Sequence, residues 1–355
     1  MSGLKSALFR VVEGHDISAE EAGEALSEIV SGNSSPALVA AFLTAMRLKG
    51  ESEEELYGMA RLMRGVCVKV ELEDPQTSLD IVGTGGDRIK TINVSTLSAL
   101  VVASVGVKVA KHGNRAATGV CGSADLLEGL GMNIGLGPEE VRRSVEKLGF
   151  GFMFAPLYHP AMKHVAPIRR ELGFRTFFNL LGPVTNPAGV GRMLLGVSDP
   201  AHLQKMANVL SRLGLKRGLV VSSRDGVDEI SIQGETEAVW VEDGETWREV
   251  LRPEDFGIEA ARIDGAVVGS REEAIDSALK ILRGAISPSD PKLMLVLVNS
   301  AAALMLADAC SSLSEGLKIA RDAVYEGSAF ETLRRAVEAS GGNVGRLEEL
   351  VKRYK

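Results

Sequence analysis

Apolar residues recur every three to four positions through the first seventy residues, and then in short continuous runs broken by polar and glycine-rich loops. The first pattern predicts helices. "SAEEAGEALSEIVSG" has Ser18 as N-cap, acids in its first turn and Gly32 as a stop. "SPALVAAFLTAMRLKG" places Pro36 just inside a helix start and Gly50 at its end, and "SEEELYGMARLMRG" repeats the form with Ser52 as cap. Three amphipathic helices in a row predict a small all-helical N-terminal domain.

From residue 79 the texture changes. "LDIVGTGG", "VKVAKHGN", "GFMFAP", "RMLLGVS" and "RGLVVSS" read as strands, separated by helices such as "TLSALVVASVG", "SADLLEGLG" and "HLQKMANVLSRLG". Strands alternating with helices predict an α/β domain with a central, mostly parallel sheet. Ligands of such sheets bind beyond the carboxyl ends of the strands, which is where the chemically unusual residues fall. The stretch "PIRRELGFRTFFNLLGPVTNPAG" interrupts this rhythm and is expected to rejoin the helical part. The expected division is residues 1–72, joined by about 170–192, as the helical domain, with 73–169 and 193–355 as the α/β domain. A charged helix is expected from about Gly342.

Composition narrows the class. The chain of 355 residues is 45% hydrophobic, and 47 acids against 40 bases leave a net charge of −7. That balance disfavours a broad nucleic-acid-binding face. The scattered cysteines Cys67, Cys121 and Cys310 show no metal or disulfide spacing. The longest apolar run, "LMLVLVNSAAALMLA", is broken by Asn299 and Ser300 and falls short of a membrane span. Neither a signal peptide nor a membrane partner is expected, so the expected compartment is the cytoplasm.

Four stretches carry candidate chemistry. In "DIVGTGGDRIKTINVST", Gly83, Gly85 and Gly86 let backbone N–H groups approach an anion. Asp87 beside them implies a ligand with phosphates plus a cation or sugar hydroxyls. Asn93, Ser95 and Thr96 then open a helix whose amides also favour phosphate. The glycines by themselves fit an ordinary strand-to-helix turn equally well. In "KHGNRAATGVCGSAD", the Lys111, His112, Asn114 and Arg115 side chains suit a polyanion or a carboxylate; a solvated basic turn is the alternative. In "DGVDEISI", the acids Asp228 and Glu229 can converge on Mg²⁺ if they lie in a loop, although adjacent acids are common on surfaces. In "YHPAMKHVAPIRRELG", a helix is expected from Pro160 to Gly173. His159 and His164 are five positions apart, about 140° round a helix, a poor spacing for one metal. Arg169 shares a face with Met162 and either clamps an aromatic carboxylate or snorkels to solvent.

In order along the chain, "GTGGD", "TINVST", "KHGNR", "GSADLLEGLG", "HPAMKHVAPIRRELGFRTFFNLLGPVTNP", "DGVDEIS" and "VNSAAAL" resemble the anthranilate phosphoribosyltransferase family. The likeness runs to about residue 335. It implies a small helical domain on a larger α/β domain, a homodimer, and transfer of phosphoribose from phosphoribosyl pyrophosphate to anthranilate, a step of tryptophan biosynthesis. It implies that Gly83, Thr84, Gly85, Gly86 and Asp87 meet the pyrophosphate, followed by Thr91, Asn93, Val94, Ser95 and Thr96. Lys111, His112, Gly113 and Asn114 form its basic motif, and Thr118, Gly119, Cys121 and Ser123 its next loop. Anthranilate is assigned to Gly83, Asn114, Arg169 and Pro183, with His159 at the channel mouth. On a straight helix His159 would lie about 15 Å from Arg169, too far for both to grip one carboxylate. Two Mg²⁺ ions are implied, with Asp228 and Glu229 organising metal and Ser95 facing the other ion. A neutral aromatic amine needs no prior deprotonation, so no obligatory acid or base is assigned and His112 is an auxiliary contact.

The chain departs from the family pattern after "KHGNR", where a Ser-x-Lys-Ser-Gly run is common. Here Thr118 keeps a hydroxyl, Val120 removes a cation, and Cys121 replaces a stronger hydrogen-bonding hydroxyl. Positive charge near Cys121 would make it an oxidisable thiol. The rival readings are a pyrimidine nucleoside phosphorylase and a non-catalytic nucleic-acid-binding relative of the same fold.

Overall fold

A computed structural model describes residues 3–86, 89–116 and 119–353; Asp87 and Thr118, both expected at the ligand, lie outside the described residues. The N-terminal part contains four helices rather than three: α1 (Gly3–Val12), α2 (Ala19–Val30), α3 (Pro36–Lys49) and α4 (Glu53–Val66). Ser18 and Ser52 are the N-caps the sequence predicts, and they also close capping boxes with Glu21 and Glu55. The apolar residues Leu4, Ala7 and Val11 of α1 follow the helical period over only ten residues. α2 packs on α4, and Gly58 permits the closest approach: a Cβ there would strike the Ala19 carbonyl.

The sheet has seven strands in the order β3-β2-β1-β4-β5-β6-β7. They are β1 (Leu79–Gly83), β2 (Val109–Gly113), β3 (Phe150–Phe154), β4 (Arg192–Gly196), β5 (Arg217–Ser223), β6 (Thr236–Glu242) and β7 (Glu245–Leu251). The first five in sheet order are parallel, and β6 and β7 pair antiparallel. The expected mostly parallel sheet is present; the terminal hairpin was not anticipated. Its signal was "DG": Asp243 and Gly244 both have positive φ, as a tight two-residue hairpin requires.

Side chains alternate between two cores, as the pleat demands. Leu219, Val221, Ala238 and Trp240 face one core with the helices Val94–Ser104 and Pro291–Leu306; Val220, Val239 and Val241 face the other with α1–α4. The helical segment Phe178–Val184 packs on α4, and the half-buried Arg64 donates to Val184 O at 2.8 Å and Leu213 O at 3.1 Å. The expected charged tail is the helix Val344–Lys352. Among the described residues no helix is long and apolar enough to cross a membrane.

The helix expected from Pro160 to Gly173 is two pieces. A 3₁₀ turn, Pro160–His164, gives way to a short α-helix, Ala166–Leu172. Pro167 accounts for the break, because it lacks the N–H that would bond back to Lys163 and its ring disfavours the α conformation before it.

Candidate active site

The chain runs from β1 to β2 and β3 on one side, then returns through β4 and β5 on the other. β1 and β4 are therefore neighbours at a topological switch point, where a crevice opens beyond the strand ends. Two chambers, of about 620 Å³ and about 430 Å³, occupy it. They share a wall that includes Gly83, Thr84, His112 and Asn114.

The larger chamber is polar. It is lined by Gly83 to Gly86 after β1, Thr91 to Thr96 at the next helix start, and Lys111 to Asn114 at the end of β2. Gly119, Cys121 and Ser123 also reach it, as do Asp228 and Glu229 from the loop after β5. Every expected phosphate-side residue within the described part of the chain is brought here, and Gly85 and Asp228, which are hydrogen-bonded, are 143 positions apart. The Thr91 segment is held by a bridge to Val267 and by Ile92 N–H donating to Ala266 O at 3.1 Å.

Lys111 is fully buried and donates to Ile81 O and, at 3.3 Å, to Ser95 Oγ. Burial pushes its ammonium down while Asp80 and Glu229 hold it up. Asp80, buried behind it, is pushed up to about 6 by burial and is steadied by Asn186 Nδ2 at 2.7 Å. Asn93 precedes the helix Val94–Ser104 without capping it; its amide donates to Cys121 O at 2.8 Å. The Thr96 hydroxyl is buried without a partner. Cys121 differs from the oxidisable thiol expected: burial, with Asp125 adding to it, pushes the thiol up to about 11, so thiolate is scarce at neutral pH. Arg115 does not offer a free cation either, because it is paired with Asp125 and Glu128, each at 2.9 Å.

The acids Asp228 and Glu229 lie in a loop, the condition set for their convergence. Asp228 Oδ2 accepts the Gly85 N–H at 2.7 Å, and a Cβ on Gly83 would run into the same carboxylate. The next residue, Ile230, is fixed by the buried amide of Asn299, which explains the polar break in that apolar helix. Among the described residues no group of three His, Cys, Asp or Glu side chains could hold a metal by itself.

The smaller chamber is largely apolar, with Met63, Met162, Phe178, Leu181 and Pro183 among its walls. Arg169 enters it, 5.3 Å from the Phe178 ring centroid, and donates to Asn179 Oδ1 at 3.3 Å. Burial pushes its guanidinium down, and among the described residues it has no carboxylate partner. His159 lines the same chamber as Arg169, and the segment between them is not one straight helix but breaks at Val165. The His112 and His159 rings pack against one another with centroids 5.1 Å apart and planes tilted by 55°. Burial brings them down to about 3 and about 4, leaving both neutral above pH 5. Pro183 lies in the last turn of the helix Phe178–Val184 and lines the chamber.

Sequence reasoning missed Arg175, Lys90 and Asn179. Asn179 lines both chambers, and Arg175 and Lys90 line the polar one. Arg175 lies only six positions beyond Arg169, yet nothing in "GFRTFFN" marks it as facing the other chamber.

Two joined chambers, one for a polyanion and one for an apolar acid, suit an enzyme that brings two substrates together and transfers a group between them. The family comparisons agree with that class. Residues 75–330 match the model described as "Glycosyl transferase family, a/b domain", and residues 5–67 match "Glycosyl transferase family, helical bundle domain". The anthranilate phosphoribosyltransferase of Methanopyrus kandleri is 46% identical over 338 residues, covering 94% of this chain and 99% of that protein. The crystal structure of the Thermus thermophilus enzyme of that name superposes with a TM-score of 0.88 at 42% identity, covering 96% of this chain and 100% of that one. The Saccharomyces cerevisiae enzyme, solved in complex with PRPP and Mg, gives 0.87 at 27% identity, covering 95% of this chain and 98% of that one. The chain belongs to the anthranilate phosphoribosyltransferase family. These relatives agree with the transferase expectation rather than with a nucleoside phosphorylase or a nucleic-acid-binding protein.

Proposed function

We propose that this chain transfers the 5-phosphoribosyl group of phosphoribosyl pyrophosphate to the amino group of anthranilate, releasing pyrophosphate. The observation that carries the reading is the shared wall. Gly83, Thr84, His112 and Asn114 border both the phosphate-suited chamber and the apolar chamber that holds Arg169, so two bound substrates meet there. A planar guanidinium without a carboxylate of its own matches an aromatic carboxylate.

The donor set fits Mg²⁺. Two carboxylates and the Ser95 hydroxyl share a chamber with backbone N–H groups suited to phosphate, and Mg²⁺ takes only one or two carboxylates when phosphates complete its coordination. Asp228 and Glu229 would hold metal, with Ser95 facing a second ion. When bound, Mg²⁺ would screen the pyrophosphate charge that grows as the anomeric C–O bond breaks. The chain's own residues position and stabilise. Lys111 lies at the end of β2 with its ammonium on Ser95, the glycine loop offers N–H groups, and Arg169 aims the amine by holding the carboxylate. His112 and His159, being neutral, present ring faces and polar edges to the aromatic substrate without adding charge.

The division into residues 1–72 with 170–192 and the remainder is supported by the packing of Phe178–Val184 on α4. A homodimer through the helical part is supported by the exposed apolar Phe9, Val12 and Leu48 on α1 and α3. A cytoplasmic location accords with the free state of all three cysteines.

Loss of anthranilate fluorescence with phosphoribosyl pyrophosphate and Mg²⁺, matched one for one by pyrophosphate and abolished by a chelator, is the expected result. No loss, with phosphorolysis of a pyrimidine nucleoside by the same sample, would overturn the reading.

A further inference from the structure

The Gly85 peptide groups are held from both sides. The Gly85 N–H donates to Asp228 Oδ2 at 2.7 Å. On the other side, Arg175 Nη2 donates to the Gly85 carbonyl and, at 3.2 Å, to the Thr84 carbonyl. The second arm of the same guanidinium, Nη1, donates to Ser198 Oγ at 2.8 Å, just beyond β4. Ser198 N–H returns a bond to Thr84 Oγ1 at 3.3 Å. One planar fork therefore ties the loop after β1 to the loop after β4 across the switch point.

This arrangement decides which way the loop faces. In a trans peptide the N–H points opposite to the C=O. Tying the Thr84 and Gly85 carbonyls to Arg175 thus turns the N–H groups of Gly85 and Gly86 away from the guanidinium and toward Asp228, although Arg175 and Asp228 both border the polar chamber. The observed Gly85 N–H bond to Asp228 is the first of these. Gly86 has φ +83°, and a Cβ there would land on the Arg175 guanidinium, so loop and arginine are packed without space for a side chain.

We propose that Arg175 is a positioning residue for the phosphate chamber: it fixes the Thr84–Gly86 backbone with its N–H groups toward pyrophosphate, and does so through the loop rather than by binding that ligand. The inference rests on the phosphoribosyl-transfer reading for the identity of the anion. It requires the fork and not merely the charge. A lysine ammonium carries the same charge but cannot span the Thr84 and Gly85 carbonyls and Ser198 Oγ together.

The test compares Arg175→Ala and Arg175→Lys with the parent protein. Binding of inorganic pyrophosphate in Mg²⁺ is read by calorimetry, steady-state constants by anthranilate fluorescence, and stability by urea unfolding. Both variants are expected to weaken pyrophosphate binding and raise the KM for phosphoribosyl pyrophosphate by about tenfold, the loss of about one charged hydrogen bond. kcat and the anthranilate KM should stay within about twofold, since neither reports loop shape. Added guanidinium should restore the alanine variant. A lysine variant that binds like the parent would overturn the proposal, because charge alone would then suffice. So would parental affinity in both variants with only a lower urea midpoint. If the parent binds pyrophosphate and the variants weaken it as expected while no anthranilate is consumed, the transfer reading fails and the clamp stands.

Discussion

Asn299 holds both backbone groups of Ile230, accepting its N–H at 3.0 Å and donating to its carbonyl at 3.1 Å. Ile230 directly follows Glu229, so a fully buried amide in the helix Pro291–Leu306 fixes the loop that presents both acids. A further bond from Asn299 Nδ2 to Leu295 O at 2.9 Å locks the amide's orientation. Asn299→Leu keeps the branched shape and strips both Ile230 groups of a partner. It should cost about 2–3 kcal/mol in urea unfolding and raise the Mg²⁺ concentration for half-maximal rate severalfold. The anthranilate KM should not move. An unchanged Mg²⁺ requirement would show that the loop keeps its shape without the amide.

Arg169 is set among the apolar walls, and its one side-chain hydrogen bond among the described residues is to the neutral Asn179. Arg169→Ala should raise the anthranilate KM by about 10- to 100-fold, the range of a charged, partly buried hydrogen-bonded pair. The KM for phosphoribosyl pyrophosphate should change by less than about twofold. Arg169→Lys should recover little, for want of two parallel donors. Equal effects on both substrates would remove the carboxylate assignment.

The tilted pair His112 and His159 makes stability depend on pH. Both folded values, about 3 and about 4, lie below the ordinary 6.5, so the unfolded chain binds more protons in the window between. Their contribution is intact above pH 6.5 and is lost as pH falls toward 4, at up to about 1.4 kcal/mol per unit for each ring. Asp80, raised to about 6, works oppositely, losing stability as pH rises toward that value. The comparison to make is therefore parent against His159→Gln. The parent should lose unfolding free energy relative to the variant as pH drops from 6.5 to 5, and a constant difference would contradict the neutral pair.

Val120 is 42% exposed at the polar chamber, where the family pattern commonly has a lysine. Val120→Lys restores a cation near the expected anion. It should lower the KM for phosphoribosyl pyrophosphate about threefold at low ionic strength, an exposed-charge effect of under about 1 kcal/mol. The gain should vanish in high salt, where screening is nearly complete. A gain that persists would point to a direct contact instead.

Much of the fold was legible because it is written in local chemistry. Ser18 and Ser52 announce helix starts by their capping boxes, and the runs at 79–83, 192–196 and 217–223 announce buried strands by their short apolar cores, Ile81–Val82, Met193–Leu195 and Leu219–Val221. The glycine loop, the basic strand end and the paired acids were each visible in sequence, though not their shared chamber. Pro167 was visible too, and its power to break the helix after Pro160 was underweighted.

The sequence by itself determined which groups this protein has to offer: glycine backbone for an anion, two acids for a cation, and an arginine for an acid. It determined the order of helices and strands that carries them, because capping, periodicity and turn chemistry act within a few residues. Only the tertiary structure decided which groups meet. The switch point between β1 and β4 sets Asp228 against Gly85, the segment that breaks at Val165 sets His159 and Arg169 on one cavity, and the turn after Gly173 sends Arg175 to the other. Those contacts join residues far apart in the chain, and their energy comes from packing and buried hydrogen bonds that no local pattern encodes.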